Sequence, residues 1–336
     1  MATINDVARE AGVSITTVSR VINNNYPVKK TTRIKVEAAI KELSFRPNPL
    51  ARGLITGKSE IIGVLVPSIT NWFFSSIVED IQRKLLEENY HVQLSTTDGI
   101  YRAEQEYIEE LLERKVDGII LIDPCAENIK SGYFDTLSKK MPLVIIGSYD
   151  PKIHLESEGI FYDERNGMEK ALECFINKGK KRIALLRGER SHSLDIREAL
   201  YRDILGKYDL NYQKVIKVKK GNNLKVLREI EKIVEKMIKN GEELPDGVIA
   251  CNDLMASALI SAFKNNNIHV PKDIGVVGYD NTPLSYITSP GITTVDLGTE
   301  DLGEQAAEVL LNKLLFKNTS DKNIILTTKL IIREST

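Results

Sequence analysis

From residue 61 onward, short apolar runs alternate with longer amphipathic segments. Runs without polar alternate positions are typical of strands buried on both faces of a parallel sheet. The strands predicted from this pattern are 61–66, 90–95, 118–122, 143–146, 182–186, 214–218, 247–251, 274–278 and 323–332. The helices predicted between them are 73–88, 102–115, 165–178, 195–207, 223–239, 253–266 and 299–316. This part of the chain is therefore expected to be an α/β protein.

A chain of 336 residues is too long for one ordinary compact domain, so two or three are expected. We predict a body over 60–336 made of two similar parallel-sheet lobes. The pattern after Gly291 indicates that the chain returns to the first lobe and then to the second. Lobe one is therefore predicted at about 60–159 and 291–318, and lobe two at about 160–290 and 319–336.

Residues 1–46 show a different pattern, that of short amphipathic helices. Thr3 followed by Asp6 is a capping signal for a first helix. Gly12 is the residue type that ends helices in the left-handed conformation, and Ser14 can cap a second helix. The sequence thus predicts a small all-α head.

Two short helices joined by 11–14, with a third helix over 31–44, predict a helix-turn-helix. The apolar residues expected in its core are Ile4, Val7, Ala8, Ala11, Val18, Val21, Ile22, Ile34, Val36, Ala39, Ile40 and Leu43. Residues 1–59 carry ten Lys or Arg against four Asp or Glu, a net charge of +6 on a chain of net charge −1. A basic head on an acidic body fits a polyanionic partner, although a merely solvated charged surface is the alternative.

The second helix of such a motif lies in the major groove, with its first residues toward the base edges. The residues that it offers are Ser14, Ile15, Thr16, Thr17, Ser19 and Arg20. Ile15 and the threonine methyls can contact thymine methyls, and Arg20 can donate two hydrogen bonds to guanine or contact a phosphate. For Thr17 and Ser19 we favour phosphate contacts or positions at the edge of the core.

The string from Thr3 to Asn23 closely resembles the head of the lac repressor (LacI/GalR) family of bacterial transcriptional regulators. The match is dense over twenty-one residues and implies that Ile15 and Thr16 set the operator preference. The DNA-binding residues predicted on this basis are Thr3, Ser14, Ile15, Thr16, Thr17, Ser19, Arg20, Asn23 and Leu54.

Leu54 lies in the predicted hinge, residues 47–59, where Pro47 and Pro49 break regular structure. In the family that this chain resembles, a short hinge helix packs in the minor groove and a leucine wedges between base pairs, which kinks the duplex. Gly53 departs from a strong helix sequence and would weaken that helix by about 0.5–1 kcal/mol relative to alanine. The alternative is that Leu54 is an ordinary linker residue or packs on the body.

Ligands of parallel sheets bind beyond the carboxyl ends of the strands, where this chain carries amides, carboxylates and aromatic residues. The body resembles the sugar-binding fold shared by the lac repressor family and periplasmic binding proteins. The effector-binding residues predicted are Asn71, Phe73, Phe74, Ser148, Arg190, Arg197, Asn252 and Asp280. Phe73 or Phe74 could instead belong to the lobe core, and Asp253 could be a helix cap. Arg190 and His192, if they face the cleft, would favour a ligand with a carboxylate or phosphate.

Two departures from the family pattern leave the effector open. The cleft arginine is followed by Leu200-Tyr201 where the family usually has a glycine and an aromatic residue. Residues 296–298, Asp-Leu-Gly, follow the Thr-Thr-Val strand where many members have a glutamine.

The sequence as a whole predicts a repressor that binds double-stranded, pseudo-palindromic operator DNA as a homodimer. A sugar, sugar acid or sugar phosphate is expected to control it. Motifs for an enzyme, a cofactor or a metal are lacking. Apolar runs too short for a bilayer, the absence of a secretory signal and three scattered cysteines predict a cytoplasmic protein without membrane attachment. The alternatives are a regulator acting through a protein coregulator and, far less favoured, a transport solute-binding protein.

Overall fold

The computed structural model divides the chain into two compact units, Met1–Ser59 and Glu60–Thr336. The residues that it describes are 2–23, 26–45, 57–153, 155–189, 191–219, 221–298, 302–316 and 323–336. Leu54, Gly53 and the two prolines of the predicted hinge lie outside these residues, as does Arg190. Their predicted roles therefore stay predictions.

The described residues of the head form three helices, α1 (Ile4–Ala11), α2 (Ile15–Asn23) and α3 (Lys30–Glu42). Thr3 and Asp6 form a reciprocal capping box at the start of α1, and Gly12 ends the helix with φ +63°. The core of the head is built from the buried residues Val7, Ala8, Ala11, Val18, Val21, Val36 and Ala39.

One predicted core residue of the head is wrong. Ile34 is 56 % exposed, because it lies on the side of α3 that faces away from the buried Val36 and Ala39. Ile40 and Leu43 pack half-buried against the core as predicted.

The body contains two six-stranded sheets with matching strand orders. In the order β11-β5-β4-β3-β1-β2, the first sheet is built from Ile324–Thr327, Glu158–Asp163, Leu143–Ser148, Gly118–Ile122, Ile61–Val66 and His91–Thr96. In the order β12-β10-β9-β8-β6-β7, the second is built from Lys329–Ile331, Thr293–Asp296, Gly275–Tyr279, Gly247–Ala250, Ile183–Gly188 and Val215–Val218. All the described pairings are parallel except that of β10 with β12.

Helices cover these sheets. In chain order they are α4 (Trp72–Glu87), α5 (Tyr101–Glu113), α6 (Ala126–Lys130), α7 (Tyr133–Ser138), α8 (Glu164–Ile176), α9 (His192–Lys207), α10 (Val226–Lys239), α11 (Asp253–Asn265), α12 (Leu284–Ile287) and α13 (Leu302–Phe316). Helix α13 packs tightly on α4, where a side chain at Gly303 would bring its Cβ within 2.5 Å of the Ile77 carbonyl oxygen.

The predicted lobe boundaries are wrong at three places. Strand β5, absent from the predicted strands, pairs with β4 and extends lobe one to Asp163. Strand β10 pairs with β9, so 293–296 belongs to lobe two and not to lobe one. The predicted strand 323–332 is two strands, since Ile324–Thr327 pairs with β5 and Lys329–Ile331 with β10. The run 323–332 is divided because the pairing of β11 with β5 ends at Thr327 and the pairing of β12 with β10 begins at Lys329, directly after Thr328.

Candidate functional site

Helix α2 presents an exposed face that carries three of the predicted DNA contacts. Val18 and Val21 are buried against the head, which turns Ile15, Thr16 and Arg20 outward. Ile15 is 48 % exposed although its side chain is large and apolar. An exposed apolar residue beside a cation is suited to reading thymine methyls and base edges.

Most of the other predicted contacts in the head also have structural roles. The Thr3 hydroxyl caps α1. The Ser14 hydroxyl accepts a hydrogen bond from the Thr17 amide at 3.2 Å, which caps α2. The Asn23 amide donates to the Ser19 hydroxyl at 3.2 Å. The contact of these five residues with DNA stays a prediction.

A contact that was not predicted joins Arg20 to Tyr26. The guanidinium carbon of Arg20 lies 5.0 Å from the centre of the Tyr26 ring, within the range of a cation–π interaction. Both side chains are exposed. This contact restrains the guanidinium of Arg20 beside the Tyr26 ring.

A narrow cleft lies between the two lobes of the body, with a cavity of about 20 Å³. Six of the predicted effector residues line it, namely Asn71, Phe73, Phe74, Arg197, Asn252 and Asp280. Ser148 does not line this cavity but a neighbouring one, together with His192. The structure thus brings most of the predicted effector residues together. They come from strand ends of both lobes.

Aromatic rings form the lobe-one wall of the cleft. Phe73 and Phe74 begin α4 and meet edge-to-face at 5.2 Å between ring centres. Phe73 meets Tyr162 in the same geometry at 6.3 Å. Phe73 and Phe74 also belong to the lobe core. A place in the core therefore does not exclude a place in the cleft lining for either residue.

Three asparagines join the lobes across the cleft. Asn222 of lobe two accepts hydrogen bonds through its side-chain oxygen from Asn71 of lobe one at 3.2 Å and from Asn252 of lobe two at 2.9 Å. Asn71 and Asn252 also cap α4 and α11 through their side-chain oxygens. Each is held by its own helix while its amide nitrogen reaches Asn222.

A carboxylate makes a second link between the lobes. Asp123, at the end of β3, accepts hydrogen bonds from the hydroxyls of Ser191 at 2.8 Å and Ser193 at 2.6 Å. Both serines lie at the start of α9 in lobe two. Asp123 has φ +47°, a left-handed conformation that asparagine and aspartate adopt more readily than other residues with side chains.

Arg197 is held by a buried acid. Its Nε lies 2.9 Å and 3.0 Å from the two carboxylate oxygens of Glu164, and its Nη1 donates to the Cys251 carbonyl at 2.6 Å. The guanidinium also stacks on Tyr279 at 4.3 Å. Although burial disfavours its charge, Glu164 and Asp280 hold the pKa of Arg197 well above its usual range.

Asp280 follows β9 with φ +97°, a strained conformation for a residue with a side chain. It is 5 % exposed. Burial raises the pKa of this carboxyl to about 8, and the nearby charge of Arg197 opposes the shift only in part. Backbone strain and a perturbed carboxyl in one cleft residue are typical of functional sites.

Sequence reasoning missed several residues of the cleft, among them Asp123, Tyr162, Glu164, Ser191, Ser193 and Asn222. Asp123 follows the buried run 118–122, so the strand-end rule that selected Asp280 could have found it. Tyr162 and Glu164 belong to the region of β5, which was not predicted, and Asn222 lies in a loop without a local signal.

Other residues considered from the sequence have structural roles. Asp253 accepts hydrogen bonds from the Thr282 amide and the Thr294 hydroxyl, which ties α11 to the second sheet. Burial raises its pKa to about 7. Tyr201, in the departure after the cleft arginine, is buried and donates to the Ile183 carbonyl at 2.7 Å.

Within the described residues there is no cluster of three or more metal-ligating side chains. None of the described helices is long and apolar enough to cross a membrane. The three cysteines are free thiols.

Two family models match the chain. The model described as "Bacterial regulatory proteins, lacI family" matches residues 3–48, and that described as "Periplasmic binding protein-like domain" matches residues 172–336. The HTH-type transcriptional repressor PurR of Photobacterium profundum is 33 % identical over 344 residues, covering 100 % of this chain and 98 % of the relative. Catabolite control protein A of Staphylococcus epidermidis is 31 % identical, covering 99 % of each chain.

Solved structures agree with these matches. The lac repressor dimer bound to operator and the anti-inducer ONPF has a TM-score of 0.84 at 27 % identity, covering 99 % of this chain and 98 % of the other. The complex of the transcriptional regulator CelR with cellobiose has a TM-score of 0.69 at 25 % identity and covers 100 % of both chains.

Proposed function

The chain belongs to the lacI family of bacterial regulatory proteins, and from this membership we propose how its head and its cleft work together. It is a DNA-binding transcriptional regulator controlled by a small effector, and it is not an enzyme. The predicted family, fold class and regulatory function are thereby confirmed. The specific residues, the effector and the hinge belong to the proposal.

The observation that carries the proposal is the polar cluster shared by the two lobes. Asn71 of lobe one meets Asn222 of lobe two, and Asp123 of lobe one meets Ser193 of lobe two. A ligand with several hydrogen-bonding groups that contacts both sides binds the closed and open arrangements with different affinity. It therefore shifts the equilibrium between them.

The size of the cavity bears on how the ligand enters. Its volume is about 20 Å³, whereas small-molecule sites usually measure about 300–1,000 Å³. We propose that the effector binds when the lobes move apart and that its hydroxyls replace part of the cross-lobe hydrogen bonds. Phe73 and Tyr162 would then cover its apolar face.

On the DNA side, we propose that Ile15, Thr16 and Arg20 read base edges in the major groove. The similarity to the lac repressor dimer bound to operator supports a two-fold arrangement, so we propose a homodimer on a pseudo-palindromic operator. Leu54 is proposed as the minor-groove wedge on the strength of the family resemblance.

Effector and operator binding are coupled in this scheme. Coupling is reciprocal, so each ligand changes the affinity for the other by the same factor. We place the protein in the cytoplasm, since an effector-controlled regulator must reach both chromosomal DNA and small metabolites.

The test has two stages. Double-stranded sequences bound by the full chain are first selected from a random library, and thermal stability is measured with sugars, sugar acids, sugar phosphates and purines, because ligands of the native state raise it. Operator affinity is then measured by fluorescence anisotropy with and without each stabilising ligand. We expect a pseudo-palindromic sequence and a roughly 5- to 150-fold change in its affinity. Failure to enrich any sequence would contradict the DNA-binding half, and an unchanged affinity would contradict the coupling.

A further inference from the structure

Resting on the proposed function, we infer that the effector of this chain carries no negative charge. The described lining of the cleft favours an uncharged or amine-bearing ligand rich in hydroxyl or amide groups over phosphorylated and carboxylated ligands. This narrows the effector class predicted from the sequence, which included sugar acids and sugar phosphates.

The positive charge in the cleft already has a buried partner. Among the described residues that line the cavity, Arg197 is the only lysine or arginine. It is bound through Nε to both oxygens of Glu164 and through Nη1 to a carbonyl. The Glu164 side chain is fully buried and is held in place by the Ser148 hydroxyl at 2.7 Å. The charge of Arg197 is therefore already neutralised by a partner that does not leave.

Two further carboxyl groups line the cleft. Asp123 of lobe one and Asp280 of lobe two line the same cavity and are 8 % and 5 % exposed. Asp123 is bound by the neutral hydroxyls of Ser191 and Ser193. With Arg197 and Glu164 cancelling, the described lining thus has a surplus of acid on both sides of the cleft.

Acidic side chains outnumber basic ones in the neighbouring cavities too, although the one that shares Asn222 with the cleft is lined by Lys219 beside Asp98 and Glu189. The one beside Ser148 is lined by Asp123, Asp150 and His192, and burial lowers the pKa of His192, which favours its neutral form. The larger groove of about 410 Å³ beside Phe73 is lined by Glu79, Asp80 and Asp280, with no lysine or arginine among its described residues.

A lining rich in carboxyl groups recognises hydrogen-bond donors of a ligand. Carboxylates accept hydrogen bonds and cannot donate them when ionised, so they suit ligand hydroxyls and ammonium groups. A ligand phosphate or carboxylate would face the like charge of Asp123 in a site with little water, where repulsion is weakly screened, and would find no free cation among the described lining residues. Asp280, whose pKa burial raises to about 8, is largely protonated near pH 7.5 and offers an anion no counter-charge, so the repulsion comes from Asp123.

The experiment compares ligands that differ only in charge. Affinities of the full chain are measured calorimetrically at about pH 7.5 for matched sets: glucose, glucosamine, gluconate and glucose 6-phosphate; galactose, galactosamine and galacturonate; ribose and ribose 5-phosphate; hypoxanthine, inosine and inosine monophosphate. Within any set that binds, we expect the neutral or amino member to bind at least about 100-fold more tightly than the anionic one. Equal or tighter binding of the anion would overturn the inference while leaving the proposed function in place. Binding by no member of any set would overturn the effector proposal and the inference with it.

Two variants show whether charge is the cause. Glu164→Gln releases the charge of Arg197, and Asp123→Asn removes one acid without changing side-chain size. Each is expected to reduce the discrimination against the anion by about 10-fold or more. Glu169→Gln, at a half-buried position of the same helix α8 outside the cleft lining, is the matched control and should leave it unchanged. If Asp123→Asn and a folded Glu164→Gln both retain the full discrimination, the inference is wrong.

Discussion

The Nε of Arg197 lies 2.9 Å and 3.0 Å from the two carboxylate oxygens of Glu164, whose side chain is fully buried. Because of this pair, a substitution at Arg197 affects the stability of the body as well as the effector site. Removing the guanidinium leaves the Glu164 charge inside the body without its cation, so stability and effector binding decrease together unless the acid is removed as well.

We predict that Arg197→Met lowers the free energy of unfolding by about 3–5 kcal/mol, because it strands the Glu164 charge. The double variant Arg197→Met with Glu164→Met is expected to recover most of that loss, since a buried ion pair can be replaced by apolar residues of similar volume. Urea unfolding of the body measures both. If the single variant is as stable as the parent, the pair is not buried as described.

A second prediction concerns Tyr26, which stacks on Arg20. Tyr26→Ala should weaken operator binding about 2- to 5-fold, because an exposed cation–π contact contributes roughly 0.5–1 kcal/mol and orients the guanidinium. Tyr26→Phe keeps the ring and should bind nearly as the parent does. Anisotropy titrations with the selected operator provide the measurement, and equal loss in both variants would show that the hydroxyl matters and not the ring.

The raised pKa of Asp280, about 8, predicts a pH-dependent stability. Between the ordinary value of 3.8 and about 8 the folded state holds a proton that the unfolded state has released, so stability falls as pH rises through this range. The slope is at most about 1.4 kcal/mol per pH unit for one such group. Asp253, with a pKa raised to about 7, acts in the same direction.

Unfolding midpoints in urea from about pH 5 to about pH 8.5 test this dependence. Asp280→Asn should flatten the slope, because the amide does not titrate, whereas Glu127→Gln, at an exposed position, should not. An Asp280→Asn protein with the parent slope would contradict the assignment to Asp280.

A matched pair of glycine substitutions tests the packing of α13 on α4. Gly303→Ala is expected to destabilise the body by about 1–3 kcal/mol, because its Cβ would lie 2.5 Å from the Ile77 carbonyl and 2.6 Å from the Asp80 Cβ. Gly206→Ala, in helix α9 with no atom within 4 Å of the new Cβ, should stabilise by up to about 1 kcal/mol. Thermal unfolding distinguishes them, and a harmless Gly303→Ala would mean that the two helices can move apart.

The sequence predicted the helices and most strands because their apolar periodicity is strong, as in the run 61–66. It did not predict β5, Glu158–Asp163, whose two end residues are acidic, with the buried Glu158 paired to Lys313. Strand-end residues such as Asp280 could be predicted because parallel strands place their carboxyl ends together. Glu164 could not, since its partner Arg197 is distant in sequence and the pairing depends on the tertiary fold.

Dependence on the tertiary fold also explains why the exposure of Ile34 and the break at Thr328 could not be predicted. The position of Ile34 in an apolar pattern gives no indication of where the surface of a three-helix head begins. The switch at Thr328 interrupts an apolar run that continues through both strands, so no local signal marks the change from one sheet to the other.

That switch has a mechanical consequence. A single residue, Thr328, separates β11 of the first sheet from β12 of the second, and its hydroxyl donates to the Asp163 carbonyl, where the chain passes from β5 to α8. The one-residue connection at Thr328 leaves the two sheets little freedom to separate at this edge. If the lobes open as proposed above, they turn about these short connections, so that small torsion changes at Thr328 and Asp163 produce larger displacements at the opposite rim.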